Sequence, residues 1–216
     1  MDYKIINDFW GDKLQKCSYN SIKKFELNSN TEEYLIKTGI PIIKLGEYDY
    51  FSYFSDLKYQ KVGEKEFAVF AEGVLGYPQL GIDLASFEID IVFPKTNGTE
   101  YKYFYFNKDI QTYFYCFTSM INCKKKYPML NCGYESEEAD KQQFLFAQEL
   151  YGIINSVDSK AVSCGSRWAL SLMEFAESEL GNHYDELTLL LKSGKYKNDD
   201  EAILAFISGK EKFINK

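Results

Sequence analysis

Every second position between residues 87 and 93 is apolar, and of the positions between them only Val92 is apolar as well. The apolar positions are Phe87, Ile89, Ile91 and Phe93, and the polar positions between them include Glu88 and Asp90. A period of two is typical of a β-strand that packs one face on a core and leaves the other face in water. The pattern therefore predicts a strand here, with Asp90 on the solvated face.

Three further segments around this strand favour extended structure. Residues 67–72 alternate within a mostly apolar run that ends at Gly73, and residues 79–84 form another short run. Asn97-Gly98 is typical of a two-residue hairpin turn, and it would join the strand at 87–93 to the aromatic segment 101–106. These segments predict a mostly antiparallel, mixed β-sheet.

A short helix with its own start and stop signals is predicted at Thr31–Thr38. Gly39 is suited to a left-handed helix end, and Pro41 blocks continuation of the helix. Two capping boxes are compatible with the start of this helix, namely Ser29 with Glu32 and Asn30 with Glu33.

Helical periodicity returns after the predicted sheet. Apolar residues spaced three and four apart predict a helix that begins after Asn107 or Asp109, and similar stripes continue through residues 138–216. A further short helix is expected around Phe9-Trp10. We therefore expect an α+β fold whose sheet is flanked by helices, with a domain at 1–125 and a C-terminal helical subdomain at 126–216 packed on it as one compact body.

Charge and composition narrow the classes of partner. The 216 residues include 32 acidic and 25 basic side chains, a net charge of −7, which disfavours direct nucleic-acid binding. No apolar run reaches the roughly 20 residues that a membrane span needs. The five cysteines are scattered, and the polar N-terminus does not resemble a signal peptide. We expect a cytoplasmic protein with a basic protein partner, and the sequence leaves its oligomeric state open.

Catalytic and metal-binding signatures are missing from the sequence. His183 is the single histidine, and no cysteine spacing suits a zinc site. Phosphate-binding loops are also absent. We therefore predict no catalytic residue, no cofactor and no metal. An enzyme would need a pocket in which polar groups converge, such as Asp83 or Asp90 with Tyr103 and Lys102.

The segment 47–56 interleaves acidic and aromatic residues without clean periodicity, so it could be an edge strand or a packed loop. Such a mixture suits a protein interface, because rings supply buried area and charges steer the encounter. The alternative is that several of these rings belong to the core. The candidate partner-binding residues are Glu47, Tyr48, Asp49, Tyr50, Tyr53 and Asp56.

One family combines these elements. Tyr34-Leu35 followed by Gly39-Ile40-Pro41, the strand Ile82-Asp83-Leu84, and the helix opened by Asn107 with Phe114 and Phe117 resemble the SUKH superfamily of immunity proteins, most closely its fourth group. The resemblance covers roughly residues 25–120. Many relatives have Asn-Ser-Ser where this chain has Asn107-Lys108-Asp109, and the C-terminal helices lie outside the shared core.

The resemblance implies an α+β bacterial immunity protein that binds and neutralises a cognate polymorphic toxin by occlusion rather than by catalysis. An acidic, tyrosine-rich surface would suit a basic nuclease toxin. The alternative is a regulatory or scaffold protein of the same fold that binds endogenous partners.

Overall fold

The computed structural model describes residues 4–48, 51–76, 78–93, 102–131 and 136–213, and the Asn97-Gly98 turn lies outside them. The chain divides into two compact units, residues 1–118 and residues 119–216. The first unit contains two antiparallel sheets with helices and the second is helical, so the α+β prediction is confirmed.

The first unit is built on a five-stranded antiparallel meander in which each strand pairs with the next along the chain. A small two-stranded sheet accompanies it. The strands are β1 (Leu14–Gln15), β2 (Ile40–Pro41), β3 (Ser52–Val62), β4 (Lys65–Glu72), β5 (Gln79–Asp83), β6 (Ile89–Phe93) and β7 (Lys102–Asn107), of which β1 pairs with β2 and β3–β7 form the meander. The predicted antiparallel pairing of β6 with β7 is confirmed, since Ile91 lies opposite Phe104. In the described part of the segment 47–56, Glu47 and Tyr48 form a bend, and residues 52–56 belong to the start of β3, which is an edge strand.

An aromatic core lies between the large sheet and the helices of the first unit. These are α1 (Lys4–Trp10), α2 (Tyr19–Ile22), α3 (Ser29–Lys37) and the first part of α4 (Ile110–Lys124), which continues into the second unit. The rings of Phe70 on β4 and Tyr113 on α4 lie 5.7 Å apart. The expected short helix around Phe9-Trp10 is present as α1; Trp10 is buried, and its indole nitrogen donates a 2.7 Å hydrogen bond to Thr118 Oγ1. Asp109 accepts from the backbone nitrogen of Thr112, which makes it the capping side chain of α4.

Helix α3 confirms the predicted helix, with a different cap. Neither Ser29 nor Asn30 caps it, because Asn28 accepts the backbone N–H of Thr31 at 2.9 Å. Gly39 ends the turn with a φ of 89°, as predicted. A Cβ at that position would lie 2.4 Å from the carbonyl oxygen of Gln15, so the approach of β1 also requires glycine.

In its described residues, the second unit contains the end of α4 and four further α-helices, namely α5 (Glu137–Val157), α6 (Arg167–Asn182), α7 (Tyr184–Lys192) and α8 (Asp199–Ile207). Ser136, Ser166 and Asn198 cap α5, α6 and α8 through their side-chain oxygens. His183 separates α6 from α7.

Candidate functional site

The structure separates the six candidate partner-binding residues. Asp49 and Tyr50 lie outside the described residues. Glu47 and Asp56 are exposed, and Tyr48 is half-buried. Tyr53 is only 3% exposed. At most three of the described members of this set are therefore available on the surface.

Tyr53 belongs to the core because β3 turns its side chain towards the helices. Its hydroxyl lies 2.6 Å from that of Tyr113, and its ring lies 5.7 Å from the ring of Phe117. A side chain in this position cannot reach a partner unless the core opens. The prediction of Tyr53 as a contact residue is corrected by this burial.

Glu47 and Tyr48 are engaged by the N-terminal region. Glu47 forms an ion pair with Lys13, and this hydrogen bond lowers the pKa of the Glu47 carboxyl below its ordinary value. The ring of Tyr48 packs edge-on against Trp10 at 5.2 Å. The charge of Glu47 is thus compensated within the chain, and Tyr48 offers only part of its ring to solvent.

A second cluster joins three strands of the large sheet. Lys65 Nζ at the start of β4 lies 2.7 Å from Asp83 Oδ2 at the end of β5 and 3.0 Å from Asp90 Oδ2 on β6. The register explains this convergence, because Phe67 lies opposite Asp83 and Gly81 lies opposite Asp90. Lys65, Asp83 and Asp90 therefore share one face of the sheet.

Asp90 lies in the interior rather than in water. Its exposure is 2% and that of Asp83 is 3%, so the predicted solvated face is wrong at this position. The ion pair with Lys65 is the physical reason, since a buried carboxylate needs a charged partner. Phe87, which the alternation placed in the same strand, lies before β6 with a φ of 63°.

The pKa values of the two aspartates are shifted in opposite directions. Burial raises the pKa of Asp90 above its ordinary value, although Lys65 opposes the shift. Burial also acts to raise the pKa of Asp83, but hydrogen bonds from Lys65 and from the backbone N–H of Ala85 outweigh it, so the pKa of Asp83 is lowered. Burial lowers the pKa of Lys65, and the two carboxylates outweigh that effect and raise it. At neutral pH Lys65 is therefore held as a cation.

An aromatic ring closes this cluster on one side. The Lys65 ammonium lies 4.3 Å from the centre of the Tyr103 ring, which is a cation–π distance. Lys102, which the sequence grouped with Tyr103, projects to the opposite face because neighbouring residues in a strand alternate. The cluster thus contains Asp83, Asp90 and Tyr103 from the predicted set, with Lys65 in place of Lys102.

Sequence reasoning missed Lys65, although a signal was present. Lys65 precedes Phe67 by two residues, which places both on one strand face. A lysine on the same face as a buried phenylalanine needs a carboxylate partner nearby. Asp83 is the last residue of β5 and Asp90 is the second residue of β6.

An open cavity of about 490 Å³ borders this cluster. Its lining residues are Lys24, Phe25, Glu26, Tyr59, Glu64, Lys65, Glu66, Asp83, Leu84 and Ala85, and we call it the acidic cavity. Four carboxylates and two ammonium groups line it, and one of these ammonium groups, Lys65, is already paired with the buried Asp83 and Asp90. Glu26 and Glu64 are exposed, so the cavity presents negative charge to solvent.

The backbone around the acidic cavity is held in an unusual conformation. Glu26 has a φ of 50°, which few non-glycine residues adopt. Phe87 closes the β5–β6 turn with a 2.7 Å hydrogen bond from its N–H to the Asp83 carbonyl. Asp83 thus fixes the turn through both its side chain and its backbone, and the cavity wall is preorganised.

The chemistry that this arrangement supports is charge recognition. Among the described residues, no group of three histidine, cysteine, aspartate or glutamate side chains is placed to hold a metal ion. Lys65 is locked as a cation between two carboxylates, which leaves it poorly suited to accept a proton or attack a substrate. The exposed carboxylates remain available to bind a cationic group.

Comparison of the chain with protein-family models, characterised proteins and solved structures gave no match. Within the described part of the chain, no helix is both long and apolar enough to cross a membrane.

Proposed function

We propose that this chain is a non-catalytic immunity protein that binds a cognate toxin with a basic surface and neutralises it by occlusion. The observation that carries the proposal is the acidic cavity, in which exposed carboxylates surround a preorganised wall while the internal lysine is already paired. The resemblance of the segment from Tyr34 to Phe117 to SUKH immunity proteins supports the same function.

The electrostatics of the acidic cavity fit a lysine or arginine side chain of a partner. Glu64 in the β3–β4 turn and Glu26 are both exposed, and both line the cavity. An incoming cation would pair with these carboxylates, which outnumber the one exposed ammonium of the lining, that of Lys24. Tyr59, which is 55% exposed, adds an aromatic anchor at the rim.

The test is a binding measurement with any toxin domain encoded by a gene beside that of this chain, carrying an inactivated active site so that cells survive its production. We expect the two proteins to co-purify, with an affinity that falls as salt increases, since exposed charges are screened. Glu64→Lys should weaken binding by about tenfold, as expected for reversal of one contact charge.

The control is Glu138→Lys, the same charge change at an exposed position in the second unit. It should leave the affinity unchanged. No binding to the neighbouring toxin domain would contradict the immunity function, and recovery of several housekeeping proteins instead would favour the scaffold alternative. If Glu64→Lys left the binding intact, the interface would lie outside the acidic cavity.

A further inference from the structure

Helix α7 of the second unit is incompletely packed. None of its nine residues is buried, although it carries four leucines. Leu189 is 68% exposed and Tyr184 is 67% exposed. An amphipathic helix of this kind normally buries its apolar stripe against another element, so α7 retains apolar surface for a partner.

An open groove of about 410 Å³ lies where α7 meets α6 and α8. Its apolar wall includes Met173, Leu180, Leu187 and Ile203. An apolar groove lined by helices is the setting for helix-in-groove recognition. We call it the α7 groove.

The rim of the α7 groove is acidic. Glu174, Glu177 and Asp200 line it, and no lysine, arginine or histidine is among its described lining residues. Glu174 lies 3.9 Å from Arg167, a weak and exposed pairing. A ligand for this groove must therefore combine an apolar face with positive charge at its edges.

We infer that the α7 groove binds a basic amphipathic helix of a partner protein. The apolar face of that helix would cover Tyr184 and Leu187 of α7, and its lysines or arginines would pair with Glu177 and Asp200. A second copy of this chain fits less well, because it would bring one acidic rim against another. This inference stands apart from the toxin-binding proposal, since it concerns a different unit and different residues.

A synthetic probe tests the inference directly. The probe is a fluorescein-labelled peptide of about five helical turns, made of leucine and lysine with the leucines on one face. Two matched peptides serve as controls, one with glutamate in place of lysine and one with the same composition in scrambled order. Binding to the full-length protein is followed by fluorescence anisotropy.

We expect the basic amphipathic peptide to bind, and the acidic and scrambled peptides to bind at least about tenfold more weakly. Glu177→Lys should weaken binding by about fivefold or more through loss of charge complementarity. Leu187→Gln should weaken it through loss of apolar contact, and Glu138→Lys should have no effect. Circular dichroism confirms that each variant is folded, which is expected because Glu177 is exposed and Leu187 is not buried.

Equal binding of the ordered and scrambled peptides would overturn the inference, as would insensitivity to Glu177→Lys. Sedimentation equilibrium tests whether a second copy of this chain occupies the groove. A dimer that Leu187→Gln dissociates would assign the groove to a second copy and would also overturn the inference. The toxin-binding measurement is unaffected by any of these outcomes.

Discussion

Lys65 Nζ lies 2.7 Å from Asp83 Oδ2, so the lysine that opens β4 neutralises the aspartate that closes β5. The same ammonium reaches Asp90 on β6. Three strands of the meander are thus joined by one cation on a single sheet face, next to the acidic cavity. Both the stability of the sheet and the charge of the acidic cavity depend on this arrangement.

Removal of the Lys65 ammonium should lower the stability of the fold. Lys65→Met leaves two buried aspartates without their ammonium partner, and we expect the free energy of unfolding to fall by about 3 kcal/mol, at the lower end for buried pairs because Lys65 is partly exposed. Urea denaturation measures this. Lys61→Met is the control, since its pairing with Glu66 is exposed and should contribute less than about 1 kcal/mol. Equal effects of the two substitutions would contradict the structural role of the cluster.

The opposite pKa shifts of the two aspartates predict opposite pH dependences. The pKa of Asp83 is lowered from an ordinary 3.8, so its ionised form stabilises the fold above that pH and this contribution is lost as the pH falls through the folded pKa. The pKa of Asp90 is raised from 3.8, so its contribution is greatest at low pH and is lost as the pH rises through the folded pKa.

Asparagine substitutions separate these contributions. The stability lost through Asp83→Asn should be largest near neutral pH and shrink on acidification. The loss through Asp90→Asn should instead grow as the pH falls towards the ordinary aspartate pKa. Urea denaturation of each variant and the wild type across this pH range gives the comparison, and parallel curves for the two variants would contradict the assignment.

Gly39 combines a left-handed backbone with close approach of a second strand. Gly39→Ala should destabilise the protein by about 2 kcal/mol or more, because the new Cβ meets the Gln15 carbonyl and the φ of 89° disfavours alanine. Gly152→Ala is the matched control in the interior of α5, where the Cβ of the new alanine would have no other atom within 4 Å beyond its immediate surroundings in the helix. It should stabilise the protein by about 0.5–1 kcal/mol. Thermal unfolding of both variants checks the sign of each effect.

Burial of Tyr53 predicts an effect on stability rather than on binding. Tyr53→Phe removes one hydroxyl of the 2.6 Å contact with Tyr113 and should cost about 1 kcal/mol. A double-mutant cycle with Tyr113→Phe isolates the coupling between the two hydroxyls. Partner affinity should be unchanged by Tyr53→Phe, and a marked loss of affinity in a stable variant would restore Tyr53 to the interface.

Local patterns in the sequence predicted much of the meander and the helix ends. The alternation at 87–93 located β6, and Gly39 followed by Pro41 located the end of α3, because both features depend on neighbouring residues only. Asn28 was missed as the cap of α3, since several consecutive residues were able to cap the same helix.

The candidate site was less accessible to sequence reasoning. Asp90 occupies a polar position in an alternating strand, and its burial depends on Lys65, which is 25 residues away in the chain. The ring of Tyr53 was indistinguishable in sequence from those of its exposed neighbours, because its place in the core follows from the pairing of β3 with β4 and from α4. Long-range pairing of this kind is set by tertiary structure rather than by local pattern.

Neutralisation in living cells tests the central claim most directly. Cells producing the active toxin domain encoded beside this chain are grown with and without the wild-type protein, with the Glu64→Lys and Glu138→Lys variants compared at equal expression. The account predicts that the wild type and Glu138→Lys restore growth and that Glu64→Lys protects less well. Failure of the folded wild-type protein to restore growth would contradict it.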